Sequence, residues 1–283
     1  MPKIAVVTDS TSDLSAQTAA EQGITIVPLL VIHEDRSYLD GVDITSETFY
    51  PLLKEGNRLP TTSQPSPHEF EKVYRRLLET ADEIVSIHIC GGLSATVESA
   101  RTAASAVAPD RICVLDSGFV SYALALQALE AARLARCGAA VQDISSAVSR
   151  LKDKTELVFT LDTLEYLHKG GRIGKVSALM GAVLGIKPVI RMEEGLLVPA
   201  GKARSLRSAL RSIVDVLSRR FGEQKVIAAV GHGAGAEYAS ILREMVVAAL
   251  NVDGDPASFE IGPVVGVHAG PGAVGVAVTP AEH

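Results

Sequence analysis

Apolar residues recur along the chain in two alternating patterns, short continuous runs and longer stretches at helical spacing. Lys3 to Thr8 is a short apolar run that ends in Asp9-Ser10-Thr11-Ser12-Asp13, a polar turn able to cap a helix reaching Gln22. Ile24 to His33 reads as one strand closed by a tight Glu34-Asp35-Arg36 turn, and Thr45 to Leu53 as a helix or a helical loop leading to Gly56. Ser66-Pro67-His68-Glu69 then sets an N-cap hydroxyl, a proline at the first helical position and a glutamate at the third. Phe70, Val73, Tyr74, Leu77 and Leu78 follow at helical spacing, so one face of that helix is buried. Ile84 to Ile89 is a strand, broken by Gly91-Gly92 before a helix from Ser94 to Val107. Ile112 to Leu115, Asp116-Ser117-Gly118 and an alanine- and leucine-rich helix ending near Gly138 repeat that pattern. Strands alternating with helices imply a parallel sheet with right-handed crossovers, whose ligands sit at the carboxyl ends of the strands. Ser10, Ser94 and Ser117 all fall at such ends.

A helix from Val141 to Lys152 leads into Lys152-Asp153-Lys154, where the pattern changes, and this places a domain boundary between residues 153 and 154. The expected fold is therefore α/β in two domains: residues 1–153 carry a parallel sheet flanked by helices, and residues 154–283 a mixed α/β domain. In the second, Leu157 to Leu161 is a strand, Asp162 to Lys169 a short helix and Gly170-Gly171-Arg172-Ile173-Gly174-Lys175 a basic loop. Lys187 to Met192 and Leu196 to Ala203 pair as a hairpin through Glu193-Glu194-Gly195. The helix from Arg204 to Phe221 turns Leu206, Leu210, Ile213, Val214, Leu217 and Phe221 inward, while Arg207 and Arg211 continue a basic stripe begun by Lys202 and Arg204. A strand from Val226 to Val230, a helix to Leu250 and two closing strands complete the domain.

Composition narrows the class of protein. With 283 residues and 47% hydrophobic residues the chain can fill a sizeable core. A net charge of -6 argues against general affinity for nucleic acid or anionic membranes. No run reaches about 18 apolar residues, so no membrane-inserted span is expected. The chain enters a strand without the apolar region of a signal peptide. Cys90, Cys113 and Cys137 lack CxxC spacing and read as buried thiols of a reducing cytosol, so the expected location is cytoplasmic. Six Phe, six Tyr and no Trp make aliphatic ligands a better expectation than stacked planar ones.

Candidate chemistry is sparse. Gly170-Gly171-Arg172 lacks the spacing of a phosphate-binding loop, and it reads better as a helix C-cap followed by a surface arginine. Gly92-Leu93-Ser94-Ala95-Thr96 resembles a nucleophile elbow only loosely, because its last small residue is not glycine; a serine esterase using Ser94 remains an alternative, with His268 as a possible base. His33, His68, His88, His168, His232 and His268 are scattered without ligand spacing, so no metal is expected. His88, inside a strand, reads as a core histidine. His268 instead stands in Gly266-Val267-His268-Ala269-Gly270-Pro271-Gly272 with no acidic partner or cysteine nearby in sequence, which suits binding rather than catalysis. Thr61, Thr62 and Ser94 lie at apparent helix starts, where they serve either as caps alone or, with backbone amides and an imidazole N–H, as a cradle for a carboxylate.

Taken in order, Asp9-Ser10-Thr11-Ser12-Asp13, Thr62-Ser63-Gln64-Pro65-Ser66, Gly92-Leu93-Ser94-Ala95-Thr96, Asp116-Ser117, Gly170-Gly171-Arg172-Ile173 and Gly262-Pro263 to Gly272 resemble the DegV family, which includes the fatty-acid-binding subunits of bacterial fatty acid kinase. The resemblance runs end to end, with two departures: Cys90-Gly91 replaces a serine-rich turn, and Ala95 stands where the family commonly has glycine. It implies a two-domain fold enclosing a long-chain fatty acid such as palmitate between the domains, the tail in an apolar tunnel. The carboxylate would be held by Thr61, Thr62, Ser94 and His268. The resemblance further implies no catalytic residue and no cofactor, because a separate ATP-binding kinase subunit would convert the bound acid to an acyl phosphate. Arg172 and Arg204 would form the docking surface for that subunit. A lipid sensor without a kinase partner is a further alternative.

Overall fold

The computed structural model describes residues 2–56, 58–180 and 185–281. These form two compact α/β units: residues 1–44 with 62–153, and residues 45–61 with 154–283.

In the first unit a four-stranded parallel sheet has the order Ile24–Val27, Ile4–Asp9, Glu83–His88, Ile112–Asp116. The helices Pro67–Leu78 and Thr96–Val107 cover one face, burying Val7, Phe70, Tyr74, Ile84, Ala100 and Ala103. Tyr122–Arg136 packs on the other face with Ala16–Gln22 beside it. With both faces covered, adjacent positions such as Val6 and Val7 are both buried, which is why the strands read as continuous apolar runs. From Ile4–Asp9 the chain first builds outward to Ile24–Val27 and later returns to its other side with Glu83–His88, so the strand order reverses between these two strands. Such a reversal opens a crevice at the carboxyl edge.

The expected strand from Ile24 to His33 is two strands in two sheets. Pro28 has no N–H for a ladder, and the Leu29 N–H is donated instead to Ser10 Oγ at 3.0 Å. Leu30–His33 then pairs antiparallel with Arg36–Leu39, and Thr61–Ser63 adds the third strand of that small sheet.

The second unit carries a mixed sheet in the order Leu196–Ala203, Lys187–Glu193, Glu156–Thr160, Val274–Pro280, Lys225–His232, Asn251–Val252, with Ala257–Glu260 also paired to Lys225–His232. The expected hairpin is present: Glu193 faces Leu196, and Glu194 and Gly195 take positive φ of 50° and 73°, the two-residue turn that matches strand twist. Helix Leu206–Phe221 starts at Ser205, whose hydroxyl and that of Ser208 cap each other's backbone N–H. Its Leu210, Ile213 and Leu217 pack with Leu242 and Val246 of Ala236–Ala249 over the sheet.

Two expectations need correction here. Between the last two strands lies a helix, Pro263–Ala269, where only strands were expected. Its short length and the glycines at 262, 266 and 270 hid the helical period, although Pro263 at the first helical position was a start signal. Residues 45–61, placed by the sequence reading in the first domain, belong to the second unit. Their helix Ser46–Glu55 docks there because Tyr50 Oη and Ser46 Oγ both donate to Ile261 O, at 3.0 and 3.2 Å, just before Pro263–Ala269.

Gly266 makes this docking close: a Cβ there would lie 2.7 Å from Phe49 Cε1 and 3.0 Å from Tyr50 Oη. In an isolated helix Gly→Ala would stabilise by about 1 kcal/mol. Gly266→Ala is expected to do the reverse here, lowering stability by about 1–3 kcal/mol through overpacking, as read by thermal denaturation. A raised melting temperature would mean that Ser46–Glu55 is not seated on Gly266.

Candidate functional site

The carboxyl edge of the first unit's sheet is organised by buried hydrogen bonds. Asp9 ends its strand with no exposed surface. One carboxylate oxygen accepts from Thr11 N and Thr11 Oγ1; the other accepts from His88 Nδ1 and Ile89 N, both at 3.0 Å. His88 Nε2 meets Ser86 Oγ at 2.7 Å, and Ser86 Oγ meets Tyr74 Oη at 2.9 Å. Burial pushes the Tyr74 hydroxyl well above the usual tyrosine range, so it stays protonated as a donor. Ser86, His88 and Asp9 thus have triad-like connectivity, yet all three are fully buried, and Ser86 is out of reach of substrate.

From Ile89 the chain enters the loop that carries Ser94. Cys90 N donates to Phe119 O at 2.9 Å, and Gly91 N to Asp116 Oδ2 at 3.1 Å. Cys90 O accepts from Leu93 N and Ser94 N, closing the turn. Burial, with the Asp116 charge second, pushes the Cys90 thiol up to about 12, so it stays neutral and unreactive. The helix begins at Thr96, two residues later than expected, with Ala95 at the cap position. Ser94 Oγ accepts from Thr96 N at 3.3 Å and pairs with Thr96 Oγ1 at 2.9 Å. Ser94 is partly buried beside exposed Gly91, Gly92 and Ala95.

Thr61 and Thr62 do not stand at a helix start: they lie in the strand Thr61–Ser63, and the cap of the next helix is Ser66, whose Oγ accepts from Glu69 N at 3.3 Å. Thr61 is exposed and Thr62 partly buried. The helices that follow Thr62 and Ser94 pack on each other. Pro67–Leu78 runs down to the start of Glu83–His88, and Thr96–Val107 down to Ile112–Asp116, so both helices begin at the carboxyl edge.

In the second unit the structure brings His268 and Arg172 together. The short helix Glu165–Lys169 ends in a Schellman turn: Arg172 N donates to Leu167 O at 3.0 Å and Gly171 N to His168 O at 3.1 Å, with Gly171 at φ 70°. The C-cap reading of Gly170-Gly171 is therefore correct, and the cap also brings Gly170 against His268. The His268 ring lies against Gly170, where a Cβ would collide with it, and Arg172 Nη1 donates to Gly170 O at 2.9 Å. Gly270, at φ 75°, admits the Tyr166 ring in the same way. Burial and, second, the Arg172 charge lower the His268 pKa to about 4. The imidazole is neutral at physiological pH, with one N–H donor. Arg204 is exposed directly after the strand Leu196–Ala203, and the turn Gly174–Leu179 that follows Arg172 packs on that strand. Among the described residues no cluster of His, Cys, Asp or Glu could hold a metal, and no helix is long and apolar enough to cross a membrane.

Sequence reasoning missed the Asp9–His88 link and the closeness of Arg172 to His268. The first joins residues 79 apart in sequence and left no local signal. For the second, paired glycines at both segments were the available hint of close backbone approach.

Of the two α/β units, one carries hydroxyls at the edge of a parallel sheet and the other a neutral histidine beside an arginine. The chain belongs to the DegV family: the model described as "Uncharacterised protein, DegV family" matches residues 3–281. It is 41% identical over 280 residues to a DegV domain-containing protein of Deinococcus radiodurans, covering 98% of each chain. Its fold is similar to that of a Thermus thermophilus DegV family protein described for its fatty acid binding, with a TM-score of 0.94, 35% identity and coverage of 99% of this chain and 100% of that one. A stearic-acid-binding protein of Eubacterium ventriosum is likewise similar, with a TM-score of 0.86, 31% identity and coverage of 99% and 98%.

The lowered pKa of His268 carries a pH signature. The unfolded chain, with an ordinary histidine at 6.5, takes up this proton before the folded chain, which takes it up at about 4. Stability therefore falls as pH drops from 6.5 to about 4 and gains nothing from this group above 6.5. In His268→Gln that part of the acid dependence should vanish, which urea titrations at several pH values would measure. An NMR titration placing the His268 ring near 6.5 would overturn the assignment.

Proposed function

We propose that this protein binds a long-chain fatty acid in an apolar tunnel and presents its carboxylate to a separate ATP-dependent kinase subunit for acyl phosphate formation. The supporting observation is the end-to-end likeness to fatty-acid-binding DegV proteins, together with the neutral donors described above. On this reading Thr61, Thr62, Ser94 and His268 donate to the carboxylate, and no residue of the chain acts as a catalyst or requires a cofactor. A palmitoyl tail would contribute about 0.8 kcal/mol per buried methylene, on the order of 10 kcal/mol gross, against the cost of ordering it and desolvating its head. The tail supplies affinity and the head supplies direction. Hydroxyls and a neutral imidazole orient the carboxylate without a permanent counter-charge in direct contact, leaving an oxygen nucleophilic toward an incoming phosphoryl group.

Arg172 and Arg204 are the proposed docking residues for the kinase subunit. Arg172 also lowers the His268 pKa, so its field reaches the proposed head group, and Arg204 is the cleaner probe of docking alone. The serine-esterase alternative requires a base for Ser94, and His88 of the same unit is committed to Asp9 and Ser86.

Thr62→Ala with Ser94→Ala should weaken palmitate binding by about tenfold or more, as expected for losing two hydrogen bonds to a charged group, with the fold intact by circular dichroism. Wild-type affinity in the double variant would remove both hydroxyls from the site. Arg204→Glu should leave palmitate affinity unchanged and weaken capture of a kinase subunit encoded in the same genome. Loss of palmitate binding with capture retained would reverse that assignment.

A further inference from the structure

We infer that Asp9, oriented by His88, is the positioning residue that fixes the loop carrying Ser94, a role that rests on the fatty-acid reading above. The strand order reverses between Ile4–Asp9 and Glu83–His88, and the crevice of a parallel sheet opens at such a reversal. Asp9 and His88 are the last residues of these two strands. Asp9 Oδ2 holds the His88 ring and the Ile89 N–H together, each at 3.0 Å. Ile89 is the step into the loop, whose next residue closes the turn onto Ser94 through its carbonyl. On the other side, Asp9 Oδ1 accepts from Thr11 N at 3.0 Å. One buried carboxylate thus joins the turns that leave both strands of the crevice.

The network has two unlike ends. His88 Nδ1 donates to the Asp9 carboxylate, and His88 Nε2, Ser86 Oγ and Tyr74 Oη continue it as one unbroken chain of hydrogen bonds into the core. The Phe70 ring meets the imidazole edge-on, with centroids 5.0 Å apart, and restricts its rotation. The two ends of the chain therefore differ. The Tyr74–Ser86 end is enclosed in the core among Phe70, Ile84 and Ala100, whereas the Asp9 end hands its acceptor to the Ser94 loop.

The experiment compares variants at the two ends with [1-13C]palmitate as the probe, reading affinity, the carboxyl 13C shift of the bound acid and thermal stability. Asp9→Asn leaves one acceptor oxygen for four donors, and His88→Gln places its amide at the Nε2 end and abandons Asp9. Both are expected to weaken palmitate by about tenfold and to move the bound carboxyl resonance. His88→Asn keeps a donor at the Nδ1 position and should recover most of the affinity that His88→Gln loses. Tyr74→Phe and Ser86→Ala should lower the melting temperature while leaving the affinity and the carboxyl shift of the wild type. These two mild variants keep the test decisive even if Asp9→Asn does not fold: a moved carboxyl resonance in either one would make the network a plain core element and overturn the positioning role. Wild-type affinity and shift in folded Asp9→Asn or His88→Gln, or equal losses in His88→Asn and His88→Gln, would overturn it as well, with the fatty-acid reading intact. A wild-type chain that binds no palmitate would instead sink that reading, and this inference with it, before any variant is made.

Discussion

A buried carboxylate is tolerated only when donors surround it, and the Asp9 carboxylate has them: two from Thr11, one from His88 and one from Ile89. This requirement ties the first unit's sheet to its loops. If either strand end moved, a charge with no access to water would lose a donor. Glycines that would otherwise leave the Gly91-Gly92 segment loose are constrained by the same logic one strand further on, where Asp116 accepts from both Gly91 N and Gly118 N. Two aspartates, ending the strands on either side of Glu83–His88, thus turn glycine-rich connections into defined ones.

The second unit reaches definition by a different route, close backbone approach in place of buried charge. Glycine at 170, 266 and 270 lets an imidazole, a pair of aromatic rings and Tyr166 come nearer than any side chain would permit. His268 is held on a seven-residue helix, too short to be stable alone, between Ser46–Glu55 and Glu165–Lys169. The packing that orders the helix also desolvates the ring, and desolvation is the larger cause of its low pKa. Rigidity and neutrality of the donor therefore have one physical origin.

Much of this was readable from the chain where a local rule applied. The Ser66 cap, the Glu194-Gly195 hairpin and the Gly171 helix end each depend on residues within a few positions of one another, and each is present. Strand and helix alternation also sufficed for the parallel sheet. The misreadings share the opposite property. Thr62 looked like a helix-start hydroxyl because Ser66-Pro67 follows it, but strand pairing with Leu30–His33 took it first. The helix Ser46–Glu55 gave its type but not its allegiance, which is set by Ile261 O more than two hundred residues away. His88 was read as a core histidine, and it is buried; its bond to Asp9 depends on a register between strands that no local period encodes.

The balance between Arg172 and His268 separates two ways of holding an anion. An arginine in bidentate contact would bind a carboxylate more strongly, but it would also draw charge from the oxygen that, on the proposed reading, attacks phosphorus. Here the guanidinium is turned to the Gly170 carbonyl, and its charge acts on His268 at a distance. Burial first, and that charge second, keep the imidazole neutral, and on the proposed reading a neutral imidazole that donates to a carboxylate does not compete with it for the proton. On the proposed reading, affinity is left to the acyl tail, where it grows with buried area and is indifferent to the charge on the head. A protein built on that reading would hold the same lipid through a change from carboxylate to acyl phosphate, which a tight carboxylate clamp would resist.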